Sequence, residues 1–345
     1  MLKKDDFFNP FALAEFTNDY CFLCGCKLDD KNRSDEHVFP KWLQHEFKLW
    51  DQFIILANNT SIPYKLLTIP CCKNCNNVHL SSMENDIRKA YQSGYAEFKN
   101  LDDQRIFQWT FKIFYGLLFK ELSLLSNRRN PSSGTIMKPE VLEQYRNLHC
   151  FLQSVRIPFE FINIKPWSIF VVETRACDDP TLNFNYHDNI NGLAFSIRMG
   201  GIGIVASFED ASAQKFCLQS YYDNLEGIKL HPIQFDELAA KVAYKSFLLN
   251  RIPKYLTIFP DDQYSPFYVD TLNLQGFDAT PVFNEWDQKI YAKILASYWA
   301  SYGLTLPDIY REPNEVLSFI ENRDGSIIVL NLDGTLNYNK KPIKL

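Results

Sequence analysis

Two pairs of cysteines with the same short spacing constrain this chain more than any other feature. Cys21-x-x-Cys24 and Cys72-x-x-Cys75 each separate two thiols by two residues, and residues 25–71 lie between the pairs. Thiolates at this spacing can bind the same tetrahedral ion at about 2.3 Å. The two pairs therefore predict one structural Zn²⁺ held by four thiolates, with no coordination position left open.

The other cysteines leave alternatives open within this prediction. Cys26 and Cys71 lie beside the two pairs, and either could replace a neighbour as a zinc ligand. In a reducing cytosol, clustered cysteines bind metal or catalyse more often than they form disulfides. The remaining three are scattered and are most simply interpreted as buried apolar residues, namely Cys150, Cys177 and Cys217.

Length and composition indicate a folded protein that does not enter a membrane. A chain of 345 residues with 46% hydrophobic residues is long enough for two globular domains. No uncharged apolar run approaches the roughly 18 residues that a membrane helix needs. The first ten residues, MLKKDDFFNP, lack the apolar core of a signal peptide. We therefore expect a cytoplasmic protein.

The distribution of apolar and turn-forming residues predicts an α+β fold in two domains. Residues 1–19 read as a lead-in, and residues 20–100 contain the two cysteine pairs. Residues 101–345 are expected to form a larger α+β domain that contains an antiparallel sheet. The role of this second domain is left open between recognition, regulation, and docking of a protein partner or a second copy of the chain.

Two elements of the second domain are predicted with definite boundaries. Helical spacing over Asp102–Leu125 predicts a helix with Asp102 as its N-cap. The runs Leu193–Met199 and Ile202–Phe208 are rich in β-branched and aromatic residues and flank two glycines. This pattern predicts a tight hairpin within the antiparallel sheet.

Two short motifs accompany the cysteine pairs. Residues 36–43 read EHVFPKWL, and residues 75–86 read CNNVHLSSMEND. The order Cys-x-x-Cys, acid-His-x-x-Pro, Cys-x-x-Cys-Asn resembles the HNH endonuclease superfamily. It is similar in particular to the zinc-containing stand-alone branch of that superfamily. The match covers about residues 20–90, and the joint order and spacing of its parts are quite specific.

The resemblance implies a ββα-metal fold, in which a hairpin and a helix hold one catalytic divalent ion, Mg²⁺ or Mn²⁺. Glu36 matches the acidic metal ligand, His37 the general base, and Asn76 the metal ligand that opens the helix. The implied substrate is DNA, with double-stranded DNA favoured. The family also places an asparagine before the second cysteine pair. This chain has LLTIP there, and Asn58 or Asn59 is the candidate substitute.

The chemistry of these residue types supports the same assignment independently of the family. A neutral imidazole near pH 7 can accept a proton from water. Mg²⁺ prefers oxygen ligands and keeps several waters, so that one carboxylate and one amide oxygen suffice. Adjacent side chains on a strand point to opposite faces. Glu36 and His37 therefore approach one phosphate only if the strand ends or bends there, and Pro40 is consistent with a nearby break.

The basic residues that would contact nucleic acid are predicted to be local, because the formal net charge is −5. Lys41 follows the acid-His motif and is a candidate phosphate contact. Arg128 and Arg129 lie in the loop NRRNPSSG, which is either a phosphate-tracking surface or an ordinary solvated loop. Glu84 is expected to orient either Arg88, four residues further along the same helix, or the residues that surround the active site.

Two other functions are compatible with the sequence. The first is a catalytically silent, zinc-containing adaptor that binds nucleic acid or protein, which the negative charge and the missing asparagine favour. The second is a structural partner protein that uses zinc only for folding. Nucleases of the resembled branch often look like effectors of bacterial anti-phage systems, so that a defence role is implied by analogy.

Overall fold

The computed structural model describes residues 7–8, 17–127, 129–138, 140, 145–259, 265–274, 280–330, 335–338 and 341–344. The strands are β1 (Arg33–His37), β2 (Phe53–Ile55), β3 (Ser61–Pro63), β4 (Thr68–Cys72), β5 (Phe159–Ile162), β6 (Ser168–Glu173), β7 (Phe184–Asn189), β8 (Ala194–Met199), β9 (Ile202–Ser207), β10 (Tyr255–Ile258), β11 (Phe267–Thr271), β12 (Tyr310–Arg311), β13 (Glu315–Val316), β14 (Thr335–Tyr338) and β15 (Lys341–Lys344). The α-helices are α1 (Lys41–Glu46), α2 (Ser81–Ser93), α3 (Tyr95–Lys99), α4 (Asp103–Ser123), α5 (Arg146–Leu152), α6 (Ala213–Leu225), α7 (Pro232–Leu248), α8 (Gln288–Tyr298) and α9 (Leu306–Ile309).

The chain divides into two compact units that do not follow the predicted boundary at residue 100. The first unit contains residues 1–92, 101–162 and 256–270, and the second contains residues 93–100, 163–255 and 271–345. The segment after residue 100, which we predicted to begin the second domain, belongs to the first unit. The physical reason is that α4 packs against the strand pair β1–β4.

The first unit is organised by the antiparallel pair of β1 and β4. Arg33 lies opposite Cys72, and His37 lies opposite Thr68. The two strands are joined by α1 and the short β2–β3 hairpin, so they are far apart in sequence although they are adjacent in the sheet. A π-helical segment (Cys75–Leu80) follows β4 and continues into α2.

Helix α4 forms the core of the first unit. Its start is confirmed, because the side chain of Asp102 accepts a hydrogen bond from the backbone N–H of Gln104 at 2.9 Å. A Cβ added at Gly116 would lie 3.2 Å from Ile69 and 3.3 Å from Val38. This close approach explains why a glycine occupies a helix interior, where it normally costs about 1 kcal/mol relative to alanine.

The second unit contains an antiparallel sheet of four strands in the order β6–β9–β8–β7. The predicted hairpin is confirmed, since β8 and β9 are joined through Gly200 and Gly201 and pair over their full length. Helix α7 lies against β8 and β9 and buries most of its residues. The observed architecture is thus mixed α+β with antiparallel sheets.

None of the helices in the described residues combines the length and the apolar composition that crossing a bilayer demands. The longest, α4, carries the buried charged residues Lys112 and Glu121 within its apolar sequence.

Candidate functional site

Four thiols from the two cysteine pairs lie together in the first unit. The sulfur atoms of Cys21, Cys24, Cys72 and Cys75 all lie within 4.8 Å of one another. The Sγ atoms of Cys24 and Cys72 are 3.8 Å apart. In a tetrahedral site with bonds of 2.3 Å, neighbouring sulfurs are about 3.8 Å apart. The four residues predicted from the spacing thus form a group that could hold a metal such as zinc.

The backbone around each cysteine pair explains why the thiols converge. The backbone N–H of Gly25 donates to the carbonyl of Cys21 at 2.8 Å, and Gly25 has a φ of +69°. A side chain is disfavoured in this left-handed conformation, which accounts for a glycine directly after the first pair. In the second pair, the backbone N–H of Cys75 donates to the Sγ atom of Cys72 at 3.3 Å.

The neighbouring cysteines are not members of this group. The Sγ atom of Cys71 lies 3.9 Å from that of Cys21, and Cys71 is fully buried. Cys26 is partly exposed. The group of mutually close ligand atoms nevertheless consists of the two spaced pairs alone in the part of the chain that the structure describes.

A polar cavity of about 440 Å³ lies beside the cysteine group, along β1 and α2. It is lined by four of the predicted site residues, namely Glu36, His37, Lys41 and Asn76. The other lining residues are Ser34, Asp35, Pro40, Trp42, Asn77, Ser81, Glu84, Asn85 and Arg88. The structure therefore brings together residues from two segments that are about forty positions apart in sequence.

Asn76 is fixed by its amide nitrogen. Its Nδ2 atom donates to the Oγ atom of Ser34 at 2.9 Å and to the carbonyl of Asp35 at 3.2 Å. Among the described residues, its Oδ1 atom makes no hydrogen bond. An amide held through its nitrogen presents its oxygen as a free acceptor or as a ligand for a hard cation.

His37 lies at the end of β1 and is half-buried. Its ring stacks on Trp50 with centroids 5.9 Å apart, and Trp50 also stacks on His45 at 4.9 Å. Burial and the positive charges of Lys41 and Lys112 together lower the pKa of His37 to about 4, although the charge of Asp35 opposes them. The imidazole is therefore neutral at pH 7 and able to accept a proton.

Glu36 is buried and does not lie free in the cavity. Its carboxylate forms an ion pair with the ammonium of Lys112. Burial raises the pKa of Glu36 against the opposing charge of Lys112, and the pKa that results is about 7. The residue that was predicted as a metal ligand thus already has a cationic partner within the protein.

Lys112 was missed by the sequence analysis, although it is central to the site. Its side chain is 0% exposed, and its ammonium contacts Glu36, the Oε1 atom of Glu84 at 2.9 Å, and the carbonyls of His37 at 2.6 Å and Val38 at 3.2 Å. Burial alone would lower the pKa of Lys112, but the two carboxylates outweigh burial and raise it. The sequence did contain a signal for this role, because Lys112 lies within an apolar helix, where a lysine needs an acidic partner.

The expected pairing of Glu84 with Arg88 is not observed. Glu84 forms its ion pair with Lys112, because the ammonium is buried and has no water to solvate it. Arg88 remains exposed at the rim of the cavity. The prediction of Arg88 rested on the i to i+4 spacing within one helix, which does not show a partner on another helix.

The remaining predicted residues are distributed as follows. Lys41 is exposed and lines the cavity. Arg129 is exposed in a turn whose backbone N–H donates to Asn127, and it does not line the cavity. Arg128 lies outside the described residues. Asn58, a candidate for the missing asparagine, donates to the carbonyl of Ser126 and accepts from Thr60.

Asn58 and Asn59 both belong to the loop between β2 and β3 and do not line the cavity. Neither therefore takes the position predicted for the middle asparagine. The ring of His37 is supported instead by its stacking on Trp50, which the sequence analysis did not identify.

Comparison with known proteins gave no match. None of the protein-family models, curated proteins or solved structures with which the chain was compared is similar to it.

Proposed function

We propose that this chain hydrolyses phosphodiester bonds of DNA as an HNH-type endonuclease. The observation that carries the proposal is the shared cavity, which is lined by His37, Asn76 and Lys41 and lies beside a group of four thiols. The antiparallel pair β1–β4, followed by the helix that carries Asn76, supports the resemblance to a hairpin-helix nuclease.

In the proposed reaction, His37 is the general base. It is neutral at pH 7, and neither ring nitrogen has a hydrogen bond among the described residues. A water molecule in the cavity would donate its proton to the imidazole as it attacks the phosphorus atom, while the bond from phosphorus to the 3′-oxygen breaks and that oxygen takes a proton from solvent. General bases of this kind contribute about 10²- to 10⁴-fold to the rate.

Two kinds of metal ion belong to the proposal. Zn²⁺ would be bound by Cys21, Cys24, Cys72 and Cys75 and would hold the ends of β4 and the first cysteine pair together. Mg²⁺ or Mn²⁺, when bound in the cavity, would neutralise negative charge at the phosphate. The free Oδ1 atom of Asn76 fits such an ion, whereas the carboxylate of Glu36 is engaged by Lys112.

Positive charge at the rim of the cavity favours a phosphate-bearing substrate. Lys41 and Arg88 are both exposed there, and neither forms an ion pair with a described acidic residue. They would contact the DNA backbone on either side of the cleaved bond. The proposed substrate is double-stranded DNA. By analogy with the zinc-containing branch of the HNH superfamily, the proposed biological role is anti-phage defence.

The decisive variant is His37→Ala. We expect plasmid cutting in the presence of Mg²⁺ or Mn²⁺ to fall by about 10²- to 10⁴-fold, because the proton acceptor is lost. His45→Ala is the matched control, since this imidazole stacks on the same Trp50 but does not line the cavity. Equal zinc content and melting temperature would show that both variants fold.

Unchanged cutting by His37→Ala would contradict the proposal. If the wild type itself shows no cutting, a second candidate function gains weight, in which the chain is a zinc-containing adaptor that binds nucleic acid without cutting it. The ion pair between Glu36 and Lys112 favours this candidate, because it occupies a carboxylate that a nuclease of this kind would use. An adaptor would bind DNA in a mobility-shift assay and show no divalent-dependent cutting at all.

A further inference from the structure

The ammonium of Lys112 lies among four oxygen atoms from two segments of the first unit. Two are the carboxylate oxygens of Glu36 and Glu84, and two are the main-chain carbonyl oxygens of His37 and Val38. Carboxylate and carbonyl oxygens are the ligands that hard divalent cations select. A lysine ammonium has three N–H donors, so all of them are used within this group.

Lys112 has no route to solvent in this arrangement. Its side chain is 0% exposed, and one turn further along α4 a Cβ at Gly116 would lie 3.2 to 3.3 Å from Ile69 and Val38. Helix α4 is therefore packed closely on the strand pair one turn beyond Lys112, and the ammonium itself is buried within this packed region.

A divalent ion bound to Glu36 would stand next to this ammonium. Two like charges a few ångströms apart repel strongly where water is excluded. Only one cation can thus be held between Glu36 and Glu84 without a large cost, and the protein supplies it itself.

We propose that Lys112 is the resident cation of the site and that Glu36 positions Lys112 rather than binding a divalent ion. This inference deepens the proposed function and rests on it for the role of His37. Lys112 donates to the carbonyls of His37 and Val38 and so fixes the end of β1, where the proposed general base His37 lies. A divalent ion in the cavity then depends on Asn76 and on the phosphate of the substrate.

The test measures Mn²⁺ affinity of the full-length, zinc-loaded protein by electron paramagnetic resonance, without any substrate. Glu36→Gln should leave the affinity of the wild type unchanged within twofold. Lys112→Met should raise the affinity at least tenfold, because it frees two carboxylates for one ion. Adding Glu36→Gln to Lys112→Met should abolish that gain, and Lys112→Arg should behave as the wild type.

A tenfold loss of Mn²⁺ affinity in Glu36→Gln would overturn the inference, and so would a folded Lys112→Met protein without any gain. If Lys112→Met fails to fold, as judged by its zinc content and melting curve, the comparison of Glu36→Gln with the wild type decides alone. Because the readout is binding, it is separate from the nuclease assay. A gain in Lys112→Met without any DNA cutting by the wild type would refute the proposed function and leave this inference standing.

Discussion

The first unit joins distant segments around two polar clusters, and the two are built from opposite chemistry. The cysteine group collects four thiols that need an external cation to hold them together. The lysine cluster, which comprises Lys112, Glu36 and Glu84, collects two carboxylates around a cation that belongs to the chain. Both clusters attach β1 or β4 to elements elsewhere in the unit.

The difference between the two clusters lies in what is left when the cation is removed. Thiols without a metal can be protonated and remain neutral, although the bonds that joined the segments are lost. Carboxylates without their ammonium become unpaired charges in a buried site, which is costly in itself. The comparison therefore predicts distinct responses to substitution, which can be measured on one stability scale.

The largest effect is expected from removing a zinc ligand. Cys72→Ser should lose about one zinc per chain and prevent the first unit from folding cooperatively. Structural zinc sites contribute about 10 kcal/mol or more in small domains, which is comparable with the whole stability of a domain. Zinc analysis and urea denaturation would measure the effect.

Cys217→Ser is the control for this substitution, because Cys217, which we predicted to be buried, is exposed and lies in the second unit. It should retain both zinc and stability. If the wild-type protein contains no metal after purification and strong chelators do not change its stability, the four thiols do not need a metal ion to hold them together. The contrast between the two clusters would then be wrong.

The second largest effect on stability, after that of Cys72→Ser, is expected from Lys112→Met. It should lower the free energy of unfolding by about 3–5 kcal/mol, since it leaves the buried carboxylate of Glu36 without a partner. Urea denaturation at neutral pH would measure the loss, and added Mn²⁺ should restore part of it. A loss below about 1 kcal/mol would mean that the lysine cluster does not hold the unit together.

The smallest effect is expected from Lys65→Met, which removes a surface ion pair of the same unit. Lys65 and Asp51 are 2.5 Å apart, but their side chains are 37% and 80% exposed. Exposed pairs contribute about 0–1 kcal/mol, because water already solvates both charges. This variant is the matched control for Lys112→Met, and equal losses in the two would remove the distinction between buried and exposed lysines.

The cysteine group was predictable from the sequence because its signal is local. Two residues between thiols suffice to identify each pair, and a glycine follows the first pair, where the chain turns with positive φ. The helix start at Asp102 and the hairpin at Gly200 and Gly201 were predictable for the same reason. In each case the determining residues lie within one turn of the element.

The lysine cluster was not predictable because its members meet only in the folded chain. Residues 36, 84 and 112 lie on three different elements (β1, α2 and α4), and spacing along one helix favoured Arg88 as the partner of Glu84. The domain boundary failed in the same way. Whether α4 belongs with the sheet before it or after it is decided by packing at Gly116, and the apolar pattern of α4 is compatible with either.

The contacts that Lys112 makes with main-chain oxygens have an evolutionary consequence. Carbonyls at positions 37 and 38 are present whatever side chains those positions carry. A descendant of this protein that lost its imidazole would therefore keep the same anchored strand end and the same surface charge beside it. Under the proposed function, replacing His37 alone would abolish cutting while Lys41 and Arg88 stay at the rim of the cavity, so that one codon would separate a cutting protein from a purely binding one.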